Sequence, residues 1–228
     1  QTTGDPARNM PPFFHDKPGL DNSLLFLYLN TNKLGVTLDL KSDSGLERLK
    51  ELVKQSDILV ENFSPRVMPS LGLDYSTLKD INPSLVMVSI SNFGQTGPYR
   101  DYKATDIVEY ALGGLMYIIG NNDREPLKHA LHQAQFRAGT NSASAALMAL
   151  YHQRFTGNGQ YVDVSIQECI ASSLRDTVQR YTYNGAVRRR APTFSGELSR
   201  IRATSDGYIL PNPGVHSIDW GSIVDFLG

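Results

Sequence analysis

Apolar and polar positions along this chain switch repeatedly between a period of two and a helical period. Val36-Thr37-Leu38-Asp39-Leu40 alternates as a half-buried strand does, and Leu46, Leu49, Leu52 and Val53 then fall at helical spacing behind Ser42 and Ser44. Asp57-Ile58-Leu59-Val60 is a short apolar run ending in Glu61-Asn62-Phe63, after which Pro65 opens a helix around Val67 to Leu71. Asp74 is placed to cap a helix over Tyr75 to Ile81, and Pro83 closes it. Leu85 to Ile90 is a third strand, and its unbroken apolar run predicts burial on both faces, as in a parallel sheet under helices.

The second half continues the pattern. Asp106 to Ile119 and Ala134 to Tyr151 read as helices, the latter rich in Ala and Ser that allow close helix contact. Gly157-Asn158-Gly159 turns the chain into a strand at Tyr161 to Ser165, and a helix follows from Ile166 to Tyr181. Ser205 to Tyr208 is a turn, and Asp219 to Leu227 starts an amphipathic helix. Strands alternating with helices predict an α/β fold, a partial Rossmann-like parallel sheet flanked by helices and leading toward a second, smaller domain.

Composition narrows the class. The 228 residues carry 22 Lys plus Arg against 23 Asp plus Glu, a balance that points to neither nucleic acid nor an acidic membrane surface as partner. Apolar runs fall short of the roughly 18 residues that a membrane span needs. The single cysteine, Cys169, excludes an internal disulfide and a multi-cysteine metal site and suits a reducing cytoplasm.

Candidate chemistry concentrates at the strand-end loop Ser91 to Pro98, since open α/β sheets bind ligands beyond the carboxyl ends of their strands. Gly94, Gly97 and Pro98 suit either an anion-holding nest of backbone amides or a plain tight turn. Neither a G-x-x-x-x-G-K-[ST] loop nor a G-x-G-x-x-G fingerprint is present, so nicotinamide chemistry has no direct basis. His129 and His132 lie three apart without a third ligand at familiar spacing, and H-E-x-x-H and G-x-S-x-G are absent, so no metal is expected. Arg188-Arg189-Arg190 reads as a solvated or subunit-facing patch, or as a site for a phosphate-rich ligand.

Five stretches in series resemble the class III CoA transferases, the CaiB/BaiF family. They are Leu38 to Lys41 after Asn30 to Lys33, Asp57 to Phe63, Ser89 to Pro98, Thr156 to Gln160 with Val162-Asp163-Val164, and Asp206 to Tyr208. By this resemblance residues 1–33 are a lead-in loop with the fold's start missing, 34–185 the large-domain core, and 186–228 a linker and the start of the small domain. The resemblance implies coenzyme A, as an acyl-CoA thioester, and a carboxylic acid as substrates. It implies a homodimer, or a heteromer with a family member. Carried over position by position, Leu38, Lys41, Asn62, Phe63, Lys103 and Asp106 are the expected CoA-binding residues. Lys suits phosphate oxygens, and a strand-end Asn-Phe pair offers a hydrogen bond beside an apolar surface.

At the nucleophile the pattern departs. The family resembles itself in using an aspartate to attack the thioester and form an acyl-enzyme anhydride, and the register from Thr156-Gly157 and Ala138-Gly139 puts Gln135 there. A carboxylate is a usable nucleophile because its oxygens carry a full charge, and a neutral carboxamide is not. The racemase branch of the family has a His where Thr105 stands. Three readings follow: another carboxylate such as Asp106, Asp123, Glu125 or Glu168 takes over; the chain is a non-catalytic CoA-binding or partner subunit; or the glutamine donates to the thioester oxygen in another reaction.

Overall fold

A computed structural model describes residues 4–190, 202–209 and 225. In chain order the regular elements are α1 (Leu24–Leu29), α2 (Asp43–Lys54), β1 (Ile58–Glu61), α3 (Val67–Ser70), α4 (Tyr75–Ile81), β2 (Val86–Ser91), α5 (Asp106–Leu112) and α6 (Leu115–Ile118). Then come α7 (Gln133–Thr156), β3 (Tyr161–Ser165), α8 (Ile166–Ala171), α9 (Asp176–Asn184) and a short hairpin of β4 (Arg202–Ala203) and β5 (Tyr208–Ile209). The first three strands form one parallel sheet in the order β1-β2-β3, with Ile58 opposite Val86 and Val88 opposite Val162. The α/β class expected from the alternating periods is the one observed.

The central strand explains the layering. Val86 and Val88 face a core made with Tyr110 of α5, Ala134, Ala138, Ala146 and Ala149 of α7, and Ile166, Cys169 and Ile170 of α8. Leu85 and Met87 face the other way, onto Val53 of α2, Met68 of α3, Leu73 of the turn before α4 and Leu78 of α4. Alternate residues of one strand thus enter two separate cores, which is why Leu85 to Val88 is an unbroken apolar run. Alanines on α7 bring that helix close to the sheet, and burial pushes the Cys169 thiol up from its ordinary range.

Caps set the helix starts. Ser42 Oγ accepts from Gly45 N at 3.1 Å to begin α2. Asp74 accepts from the Ser76 hydroxyl and from Thr77, N at 3.2 Å and Oγ1 at 2.9 Å, to begin α4, and these donors hold its carboxyl down at about 2.

Three expected elements differ. Val36 to Leu40 is not a strand: Leu34 and Val36 are exposed, and alternation alone cannot hold a strand that has no ladder partner. Local bonds take over instead, with Asp39 accepting from Lys41 N at 3.0 Å and from Ser42 Oγ, at its carbonyl, at 2.8 Å to turn the chain into α2. The helix expected over Asp106 to Ile119 is two helices, because Gly114 takes φ +81°, a left-handed conformation that ends α5 and starts α6 in a new direction. The helix expected over Ile166 to Tyr181 is likewise split, at Arg175, whose φ is 42°. Within Asp219 to Leu227, only Asp225 lies inside the described residues.

Candidate functional site

The carboxyl ends of β1 and β2 and the first turns of α7 open onto one cleft of about 850 Å³. Asn62, Phe63 and Arg66 form the wall beyond β1, Ser91 and Asn92 the end of β2, Arg100 to Ala104 the loop that follows, and Gln135, Ala138 and Gly139 the α7 side. Sheet topology puts the cleft where strand-end loops diverge, the usual ligand position of an open α/β sheet.

Each wall is fixed locally. Glu61, buried at the end of β1, accepts from Phe63 N at 2.8 Å and so shapes the chain that presents Asn62 and Phe63. The strand-end loop is tied to β3 and α8: Gln95 N donates to Asp163 Oδ2 at 2.9 Å, and Gln167 N donates to the Asn92 carbonyl at 3.0 Å. Arg66 grips Asp101 with two bonds, Nε to Oδ1 at 2.8 Å and Nη2 to Oδ2 at 2.6 Å, and Arg100 Nε lies 3.5 Å from the same carboxylate. With Lys103 on the same wall, cations outnumber anions at the cleft mouth. Phe93, Tyr99 and Tyr102 form a chain of rings beside it, with centroids 6.2 and 5.3 Å apart.

Behind the cleft lies an acidic pair on α5. Asp106 is buried; its Oδ1 accepts from Ala134 N at 2.9 Å and its Oδ2 lies 2.8 Å from Lys128 Nζ. The carboxylate thereby satisfies one of the free amides at the start of α7 and complements that helix dipole. Glu109, one turn on, is wholly buried, and Gln135 Nε2 donates to its Oε2 at 3.1 Å. Asn92, with its carboxamide turned so that Nδ2 donates to Glu109 Oε1 at 3.1 Å, accepts from Ala104 N at 2.9 Å. Burial, reinforced by the Asp106 charge, pushes the Glu109 carboxyl up to about 7.

Of the residues singled out from sequence, Asn62, Phe63, Lys103 and Gln135 come together in this cleft. Leu38 and Lys41 are not among its lining residues; they lie in the irregular segment before α2. Asp106 sits behind the wall and holds α7. Asp123, Glu125 and Glu168 are exposed and do not line the cleft. Sequence reasoning took in Asn92 only as part of the strand-end loop and passed over Glu109, whose signal was an acid three residues after Asp106, on a stretch otherwise apolar enough to be core.

Residues 1–227 match the family described as CoA-transferase family III. The chain belongs to that family. It is 34% identical over 206 residues to the succinyl-CoA:(R)-benzylsuccinate CoA-transferase subunit BbsE of Thauera aromatica, covering 90% of this chain and 50% of that protein. It is 36% identical over 209 residues to the formyl-CoA:oxalate CoA-transferase of Streptomyces avermitilis, again 90% and 50%. A crystal structure of a CAIB/BAIF family protein from Brucella suis superposes with a TM-score of 0.77 at 32% identity, covering 87% of this chain and 53% of that one. The chain spans about half the length of the curated relatives it matches. Among the described residues, no helix is long and apolar enough to cross a membrane, and no three His, Cys, Asp or Glu side chains gather as metal ligands.

Proposed function

We propose that this family III chain binds an acyl-CoA thioester in the cleft beyond β1 and β2 and serves the transfer of CoA from that ester to a carboxylic acid. The observation that carries the reading is the convergence of Asn62, Phe63, Lys103 and Gln135, four family-matched positions distant in sequence, on one cleft with a basic mouth. Lys103 and the Arg66–Asp101–Arg100 group suit the phosphates of CoA, and Phe63 gives an apolar surface to its slender arm. Leu38 and Lys41 contribute from the segment ahead of α2, and Asp106 contributes by holding the start of α7. The electrophilic carbon of the thioester then lies against the Gln135 side chain. The working unit in this reading is residues 34–185, flanked by a lead-in segment and by a linker to a smaller domain, and the compartment is the cytoplasm.

Gln135 favours a second reading. Its amide nitrogen shares its electrons with the carbonyl, so it cannot capture the acyl group as an anhydride at a useful rate. As a subunit of a heteromer, the chain would bind CoA while a family partner supplies the carboxylate; BbsE is likewise named as a subunit.

Calorimetry with free CoA and with succinyl-CoA tests the site, and exchange of label between acyl-CoA and free carboxylate tests the transfer. Binding with exchange supports the transferase. Binding without exchange, restored by a co-purified family member, supports the partner subunit. No binding of either ligand sinks both.

A further inference from the structure

Two of the polar side chains on the cleft floor, Gln135 from α7 and Asn92 from the end of β2, end on the same buried carboxyl group. Glu109 Oε2 accepts from Gln135 Nε2 at 3.1 Å, and Glu109 Oε1 accepts from Asn92 Nδ2 at 3.1 Å. Glu109 is 0% exposed and lies behind both carboxamides, so a ligand meets the amides and not the acid. A carboxamide alone has two orientations that differ by exchange of its oxygen and nitrogen, and what lies behind it decides which one is kept.

We propose that Glu109 is a positioning residue for the acyl end of the cleft: its carboxylate holds the carboxamides of Gln135 and Asn92 by their NH2 groups and so fixes which atoms those amides offer to a ligand. The inference rests on the reading of the cleft as an acyl-CoA site. With its nitrogen held at Glu109, Gln135 keeps its carbonyl oxygen as the other end of the amide. Asn92 is held at both ends, by Glu109 and by Ala104 N, so it anchors the arrangement to the strand-end loop. The site thus offers a neutral acceptor of fixed direction where the family pattern has a charged one.

The hold depends on the ionisation of Glu109. An ionised carboxyl accepts at both oxygens; once protonated, one oxygen carries a hydrogen that faces an amide N–H, and that amide must turn over or lose its bond. The charged and titratable groups around Glu109 are few. Asp106 lies one turn back on α5 and is paired with Lys128. From α7, Arg137 is turned to the Ser173 hydroxyl and to Tyr110, which also meets His129 at 3.1 Å.

The test follows the side-chain amide resonances of Gln135 and Asn92 in the full chain labelled with nitrogen-15, from about pH 5 to about pH 9, a window that spans the ordinary and the raised carboxyl ranges. Both amide pairs should move together with one midpoint near the raised value of about 7, and both should stay fixed in E109Q. Amides that do not move in the wild type, or that move equally in E109Q, overturn the inference. Should E109Q fail to fold, the wild-type titration decides by itself.

Calorimetry on the same samples supplies the functional arm. E109Q should lose roughly two- to threefold in affinity for succinyl-CoA and keep its affinity for free CoA, the scale of one carbonyl-to-carbonyl contact that loses its fixed direction. Equal losses for both ligands would show a merely structural role and overturn the inference. A wild type that binds neither ligand defeats the acyl-CoA reading, while the amide titration still decides whether Glu109 holds the two side chains.

Discussion

At position 135 a neutral carboxamide and a carboxylate one methylene shorter separate two chemistries. Replacing the Gln135 carboxamide by the carboxylate of Q135D supplies the charged oxygen that acyl capture requires, in the first turn of α7 where the helix dipole favours a negative charge. Label exchange between succinyl-CoA and free succinate should rise in Q135D by at least about a hundredfold, the scale on which placement of a reacting group acts. An unchanged rate would show that something other than this atom limits the reaction. The same substitution has a cost set by Glu109, which today receives an N–H from residue 135. The Glu109 carboxyl is already raised to about 7 from an ordinary 4.5, so its contribution to stability is complete below the ordinary value and is lost as pH rises through about 7. A second carboxylate nearby strengthens that loss, because two like charges at such range do not both ionise freely. Thermal melts should therefore match the wild type near about pH 5 and fall below it by several degrees near about pH 8.5, and the double variant Q135D/E109Q should recover the difference.

At the scale of elements, the join between α7 and β3 is set by contact with the segment between α4 and β2. Gly159 N donates to the Pro83 carbonyl at 2.9 Å, and a Cβ on Gly159 would stand 2.0 Å from the Leu85 carbonyl oxygen and 2.6 Å from its carbon. Backbone is what it meets, so no side-chain rotation relieves the overlap. G159A should cost about 2–3 kcal/mol, with the melting temperature down by roughly 5–10 °C, read by calorimetric scanning. The Gly157-Asn158-Gly159 turn was legible in the sequence, as were β2, α4 with its Asp74 cap, and β3, because each is specified by residues next to one another. Val36 to Leu40 was not, since alternation reports side-chain pattern and says nothing about whether a partner strand exists. The cleft was half legible for a related reason. Asn62, Phe63, Lys103 and Gln135 follow a family pattern by position, whereas the Gln135–Glu109–Asn92 cluster joins α7, α5 and the end of β2, and no local spacing encodes a contact of that kind.

Over the whole molecule, the largest helix leaves its outer stripe unpartnered among the described residues. Leu147, Tyr151 and Phe155 follow one another at four-residue steps on α7 and are 63%, 69% and 73% exposed; Met148 beside them is 68% exposed. Ser144 and His152 extend the same face, and Arg154, seven residues on from Leu147, borders it with its guanidinium 3.1 Å from Asp57 Oδ1. Such a surface can meet its own copy across a two-fold axis with its one bordering cation already paired, and an apolar stripe of this kind gains by leaving water. The occupant we expect is a second copy of this chain, one of the two states, homodimer or heteromer with a family member, that the family resemblance implies. Sedimentation velocity should show a dimer at micromolar concentration for the wild type. L147K/F155K should sediment as a monomer under the same conditions with its far-ultraviolet circular dichroism unchanged, because both side chains lie on the surface. A wild type that stays monomeric, or a double variant that still dimerises, would show that α7 meets something other than itself.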